Sequence, residues 1–145
     1  MDCINIDLRK TPAVDVIADV RHLPFKDNTV DVIVAFHLIE HLSRKDAFNA
    51  LLHWRNLLKE KGKLILEWPD LRRICSLLVN QDNDEYWIPH LYGLDRFPND
   101  GHLWGYTRAT MKDTLTKAGY HNILITGGTD YHIKECPCLR VEANK

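Results

Sequence analysis

The chain has 145 residues, of which 45% are apolar and 27% charged, and 19 basic side chains against 20 acidic ones leave a formal net charge of −1. That length fits one domain, residues 1–145, with enough apolar material for one core. The near-neutral balance argues against the electrostatic footprint of a nucleic-acid binder, and no apolar run reaches the roughly 18 residues that span a bilayer.

The opening Met1-Asp2-Cys3 carries an acid, and Arg9, Lys10 and Asp15 interrupt any signal-peptide core. A soluble, cytoplasmic protein is expected. The tetrapeptide Val-Asp-Val-Ile occurs twice, at 14–17 and 30–33, as expected of buried parallel strands, which are apolar and β-branched throughout. Strands are predicted over 4–7, 14–18 and 29–36. A helix follows over 44–59, with Ser43 as its cap, Asp46 in its first turn, and Lys59, Lys61 and Gly62 as its stop. Residues 63–67 form a fourth strand that Pro69 ends, and residues 71–80 form a second helix. Residues 81–105 are polar, aromatic and rich in turn formers. They read as a long irregular segment of the kind that carries function, with Asp82, Asp84 and Glu85 on a solvated loop. Thr107 caps a helix that runs to about Ala118 and stops at Gly119. Two closing strands, from Asn122 and from Cys138, are expected to be antiparallel neighbours. The alternation of strands and helices predicts an α/β sheet with helical crossovers.

Ligands of such sheets bind beyond the carboxyl ends of the strands. Asp7 follows the first strand and Asp19 the second. His37, Glu40 and His41 follow the third, and Glu67, Trp68, Pro69 and Asp70 end the fourth. Acids ending two successive strands suit a nucleoside, since one carboxylate can accept from two ribose hydroxyls and another from an exocyclic amine. The competing readings are a strand-end turn for Asp7 and a turn cap for Asp19. His37 and His41 are spaced to share a helical face, but no third ligand is evident, so no metal centre is expected and pocket lining is favoured. Glu40 is a candidate general base. Trp68, Trp87 and Trp104 either stack on a ligand or fill the core. The cysteines Cys3, Cys75, Cys136 and Cys138 are scattered apart from one C-x-C pair and are expected to be reduced thiols.

The stretches INIDL, VIADVRHLPFKDNTVDVIVAFHLIEHL, LLKEKGKLILEWPDL, GHLWGYTRATMKDTLTKAGY and LRVEA, in this order, resemble the class I S-adenosylmethionine-dependent methyltransferases of the methyltransferase domain 11 type. The resemblance implies a three-layer Rossmann-like sheet, mostly parallel, with an antiparallel C-terminal strand. It implies S-adenosylmethionine as cofactor, held by Asp7 and Leu8 at the ribose diol and by Asp19 and Val20 at the adenine edge. Phe36, His37 and Leu38 would form the floor beneath the sulfonium. His37, Glu40 and His41 would face the reaction, and His90 with residues 102–106 would form part of a lid. The expected activity is methyl transfer to a small-molecule or glycan-like acceptor.

Members of that family normally begin with a strand and a glycine-rich turn that let the backbone approach the methionine part of the cofactor. Here the first glycine is Gly62, and the sequence opens where the family's second strand would stand, so the first strand and first helix are missing and the chain reads as N-terminally truncated. A sheet lacking that strand is expected either to pair its neighbours directly or to recruit a partner, and a homo-oligomer such as a dimer follows. The alternative function is a catalytically inactive methyltransferase-like scaffold that acts by oligomerisation or partner binding.

Overall fold

The computed structural model describes residues 3–129 and 136–145. The first two strands, β1 (Ile6–Asp7) and β2 (Val16–Ile17), pair in parallel, with Ile6 opposite Val16 and Asp7 opposite Ile17. They are shorter than the expected 4–7 and 14–18. Asp15 explains the shortening. Its carboxylate accepts from the Asn5 amide at 2.8 Å and its own amide donates to the Asn5 carbonyl at 2.9 Å, closing a loop where the ladder would otherwise extend.

The remaining strands are β3 (Val30–Phe36), β4 (Leu58–Pro69), β5 (His121–Gly127) and β6 (Cys138–Asn144). They form one sheet in the order β3-β4-β6-β5, with β3 parallel to β4 and β6 antiparallel to both its neighbours. The antiparallel C-terminal pair expected from the sequence is therefore present. β1 and β3 do not pair, which leaves β3 at the edge of its sheet with Val34 and Phe36 exposed.

Helix α1 (Arg44–Leu57) starts where Ser43 accepts from the Asp46 amide at 3.1 Å and donates to the Asp46 carboxylate at 2.8 Å. Ala47, Ala50, Leu51, Trp54 and Leu57 return every three or four residues and form its buried stripe. The helix ends two residues before the expected Lys59, because Leu58 is already extended and pairs with Val30 of β3. β4 thus begins well before the expected residue 63, with a register shift that takes up residues 59–62 and a left-handed Lys61 (φ 65°). Along β4, Leu58, Leu64, Leu66, Glu67 and Trp68 are completely buried. The Trp54 indole donates to the Val20 carbonyl at 2.7 Å and so ties the turn after β2 to the core.

Helix α2 (Leu71–Asn80) has the expected bounds, with the Asp70 carboxylate accepting from the Arg73 amide at 3.3 Å. Helix α4 (Arg108–Lys117) begins with a reciprocal cap between Thr107 and Thr110 and gives way to Gly119 at φ 87°. The segment expected to be irregular over 81–105 contains a further helix, α3 (Asp84–Tyr92), so Asp84 and Glu85 stand in a helical first turn. Pro89 inside that helix, together with the surrounding aromatic and turn-forming residues, hides it from a reading of pattern. None of the helices among the described residues is long and apolar enough to cross a membrane.

The one fully buried carboxylate of β4 is Glu67, held by the Arg140 guanidinium of β6 at 2.9 Å and by the Thr129 amide and hydroxyl at 3.0 and 2.6 Å. Removing one partner of a buried ion pair strands the other. Arg140→Met is expected to lower unfolding free energy in urea by about 3 kcal/mol, and the double variant Glu67→Gln/Arg140→Met to recover part of that loss.

Candidate active site

Asp7 and Asp19 stand at the carboxyl ends of neighbouring parallel strands, two residues beyond the last paired residue in the case of Asp19. The Ala18 amide donates to the Asp7 carbonyl at 3.1 Å and locks the two strand tips together. The Asp7 carboxylate is partly exposed and accepts from the Arg9 amide at 2.7 Å. Asp19 caps the 3-10 turn Val20–His22, accepting from the Arg21 amide at 2.9 Å, and is gripped by the Arg21 guanidinium at 2.5–2.9 Å. The hydrogen bond from Arg21 outweighs burial and lowers the Asp19 pKa. Leu8 is exposed, Val20 half-buried, and Phe36 exposed beneath the Arg140 guanidinium, 5.5 Å from its ring centre.

The second group of candidates surrounds a cavity of about 320 Å³ between the ends of β3 and β4 and the segment carrying α3. Its lining includes His37, Glu40, His41, His90, Asp100 and His102, whereas Asp7 and Asp19 are not part of it. The structure therefore brings the strand-tip carboxylates together in one place and the expected reacting residues together in another.

His37 adopts a left-handed backbone (φ 49°) directly after β3, an uncommon conformation for a residue with a side chain. Its amide donates to the Glu67 carbonyl at 2.9 Å, and its ring lies between Glu40 (Nδ1 to Oε1 3.3 Å) and the Cys138 sulfur (3.7 Å). Burial opposes charging this ring, but the Cys138 and Glu40 contacts outweigh it and push its pKa up to about 10. The Cys138 thiol is itself raised well above its usual range, by its hydrogen bond to Cys136 and by burial, and stays protonated. His37 Nδ1 is close to Glu40 as an ion pair but off the line of a hydrogen bond, and neither Glu40 oxygen has a hydrogen-bond partner although the residue is only 3% exposed.

His37 and His41 do not share a helical face, since residues 39–41 form a single 3-10 turn. His41 instead meets Glu40 and His102, with the His41 and His102 rings edge to face at 5.0 Å. His41 Nδ1 lies 3.2 Å from the Gly101 carbonyl. Burial lowers the His102 pKa, so that ring is neutral near pH 7. Asp100 is buried and gripped by Arg96, whose guanidinium holds its pKa down to about 2. Sequence reading placed His102 in a lid but did not connect it with Glu40 and His41. The long separation along the chain left no local signal. Trp68 and Trp87 are core residues, and Trp104 lies 41% exposed beneath Arg44.

The profile of the methyltransferase domain family matches residues 3–66. In three dimensions, a SAM-dependent methyltransferase from Archaeoglobus fulgidus superposes with a TM-score of 0.71 at 15% identity, covering 98% of this chain and 75% of that one. The chain shares the fold of such S-adenosylmethionine-dependent methyltransferases, and residues 3–66 carry the methyltransferase-domain pattern. The 1,6-didemethyltoxoflavin-N1-methyltransferase of Burkholderia thailandensis, solved with S-adenosylhomocysteine, gives a TM-score of 0.66 at 12% identity, over 97% of this chain and 59% of that one. An uncharacterized protein of Methanocaldococcus jannaschii is 43% identical over 51 residues, which is 35% of this chain and 21% of that protein's length.

One loop borders the cavity through Gly93 and Asp100. Gly93 (φ 81°) bridges to Gly101, and a Cβ there would collide with the Asp100 carbonyl oxygen and lie 2.9 Å from the Gly101 Cα. Gly93→Ala is expected to destabilise the fold by more than about 1 kcal/mol, because a left-handed position and a backbone clash act together. Amide exchange of residues 100–102 should accelerate beyond that of the core of the sheet, and an unchanged exchange pattern would refute the assignment.

Proposed function

We propose that this chain binds S-adenosylmethionine and transfers its methyl group to a small-molecule acceptor. The observation that carries the reading is the pairing of Asp7 and Asp19 at adjacent strand tips, with the buried Glu40 and the half-buried His37 and His41 after the next strand lining a cavity large enough for a small molecule.

In this reading the Asp7 carboxylate accepts from both ribose hydroxyls. Its single main-chain partner, Arg9, leaves lone pairs for that purpose. Asp19 is occupied by Arg21, so its contribution is to fix the turn that presents the Val20 main chain to the adenine edge. Phe36 and the left-handed His37 form the floor under the sulfonium. The transfer itself is a direct displacement: the acceptor's lone pair forms a bond to the methyl carbon as the sulfur–carbon bond breaks, leaving S-adenosylhomocysteine. Most of the rate gain in such a step comes from alignment in a site that excludes water. Glu40 and His41, inside the cavity, act on the acceptor's proton.

Titration calorimetry with S-adenosylhomocysteine tests the reading. Binding is expected for the wild type. Asp7→Ala should weaken it roughly 10- to 100-fold, the cost of charge-assisted hydrogen bonds to a diol. Asp19→Ala should weaken it less while also lowering the melting temperature, because it removes a turn cap. Absence of heat at millimolar ligand in the folded wild type would overturn the proposal.

The free edge of β3, with Val34 55% exposed, supports association into a homo-oligomer. Light scattering should then give at least twice the mass of one chain, and Val34→Lys should reduce it to one.

A further inference from the structure

We propose that Glu40, His41 and His102 form a binding site for one divalent transition-metal ion, open on one side to the cavity. The starting observation is a buried carboxylate whose charge partner, His37, leaves both of its oxygens without a hydrogen bond. Glu40 is almost fully buried, yet neither of its oxygens has a hydrogen-bond partner. Burying an ionised carboxylate costs several kcal/mol unless it is paired or coordinates a metal. The His37 contact at 3.3 Å compensates charge at Oε1 without hydrogen-bond geometry. Two more imidazoles then converge on the same carboxylate, and candidate ligand atoms of Glu40, His41 and His102 all lie within 4.8 Å of one another. A bound water can satisfy one oxygen, but it gives no reason for two rings to face one acid.

Two nitrogen donors and one oxygen donor with a vacant direction are the ligand set of open zinc sites and of other divalent transition-metal centres. Donors about 2.1 Å from a common ion are at most roughly 4.2 Å apart, so small side-chain rotations bring the three into range. The outer contact of His41 is also one that metal-bound histidines use. When His41 Nδ1 donates to the Gly101 carbonyl, Nε2 carries the lone pair. Cys136, although it lines the same cavity, is not one of the three converging groups.

Such an ion defines the acceptor class. This consequence rests on the methyltransferase reading above. A hydroxyl-bearing acceptor that ligates the open position loses its proton more readily, because the ion stabilises the alkoxide or enolate. The oxygen then forms the bond to the methyl carbon, the sulfur–carbon bond breaks, and the proton leaves to water or a neighbouring base.

The test uses tag-free, metal-stripped full chain, without cofactor. Zn²⁺ calorimetry is expected to show one ion per chain. Glu40→Gln and His102→Ala should each weaken binding by at least about tenfold, the scale on which even outer-shell partners act, while the remote His121→Ala should leave it unchanged. Zn²⁺ should raise the melting temperature of the wild type but not of Glu40→Gln, which also shows whether that variant folds. The Co²⁺ form reports the ligands without any mutation. A visible d–d band that shifts on addition of acetohydroxamate supports a nitrogen and oxygen site with an open position. A strong near-ultraviolet thiolate charge-transfer band would overturn the ligand set in favour of a cysteine. An unshifted band would overturn the open position, and no binding in the folded wild type would overturn the site. Binding of S-adenosylhomocysteine in the same preparation would keep the methyltransferase reading standing if the metal fails.

Discussion

The arrangement of the cavity depends on one buried residue, Glu67. Its side chain and its main chain do different work. The carboxylate neutralises Arg140 and accepts from Thr129, which fixes the carboxyl end of β4 against β6. The carbonyl accepts from the His37 amide, which fixes the first residue after β3. His37 stands in a left-handed conformation that costs on the order of 1 kcal/mol or more for a residue with a Cβ. That cost is tolerated because β4 cannot shift: it is paired on both sides and fully buried at five positions, from Leu58 to Trp68. The sharp exit from β3 then turns the chain so that Glu40 and His41 enter the cavity instead of continuing along the sheet.

The strands most legible in the sequence are those with continuous apolar runs, even where, as in β3, Val34 and Phe36 end up exposed at a sheet edge. The apolar run of β3 and the Leu-Ile-Leu of β4 have no alternative use, and Ser43 and Thr107 announce their helices by side-chain chemistry alone. Errors fall where charge and burial disagree. The Lys-Glu-Lys-Gly stretch after α1 reads as a helix stop and loop, yet Leu58 has already joined β3, and the polar residues occupy an irregularity in the strand. The second error is α3, where Pro89 and clustered aromatics imitate a loop. Its Trp87 is nevertheless anchored in a small secondary core with Ile74 and Cys136. Tertiary packing overrides propensity in both cases.

The two halves of the site differ in legibility for a similar reason. Asp7 and Asp19 interrupt apolar strands at their ends, so their position is written locally, and parallel pairing makes them neighbours. The group at Glu40 depends on His102, which arrives from beyond three helices. Its placement is enforced by the main chain of residues 101–104: the Leu103 and Trp104 amides donate to the Glu40 carbonyl at 2.8 and 3.2 Å, and the His102 amide donates to the Tyr92 carbonyl at 2.9 Å. These are backbone contacts, indifferent to side-chain identity, and no pattern of residues can advertise them.

The same contacts bear on how cofactor chemistry and acceptor chemistry are divided. The strand-tip acids belong to a two-stranded unit joined to the core through Trp54 and the turn at Val20, whereas the cavity belongs to the four-stranded sheet and its overlying helices. The start of α1 and the exit of β3 lie near both: Arg21, which holds Asp19, approaches the Asp46 carboxylate of the α1 cap at 3.9 Å, and His37 lines the cavity. A surface ion pair at that distance contributes little energy by itself. The indole hydrogen bond from Trp54 is the stronger link because it is buried, and a buried carbonyl left without it would cost on the order of 1–3 kcal/mol. In the proposed reading, the registration of a nucleoside at Asp7 with an acceptor over Glu40 therefore rests on the packing of α1 between the two units.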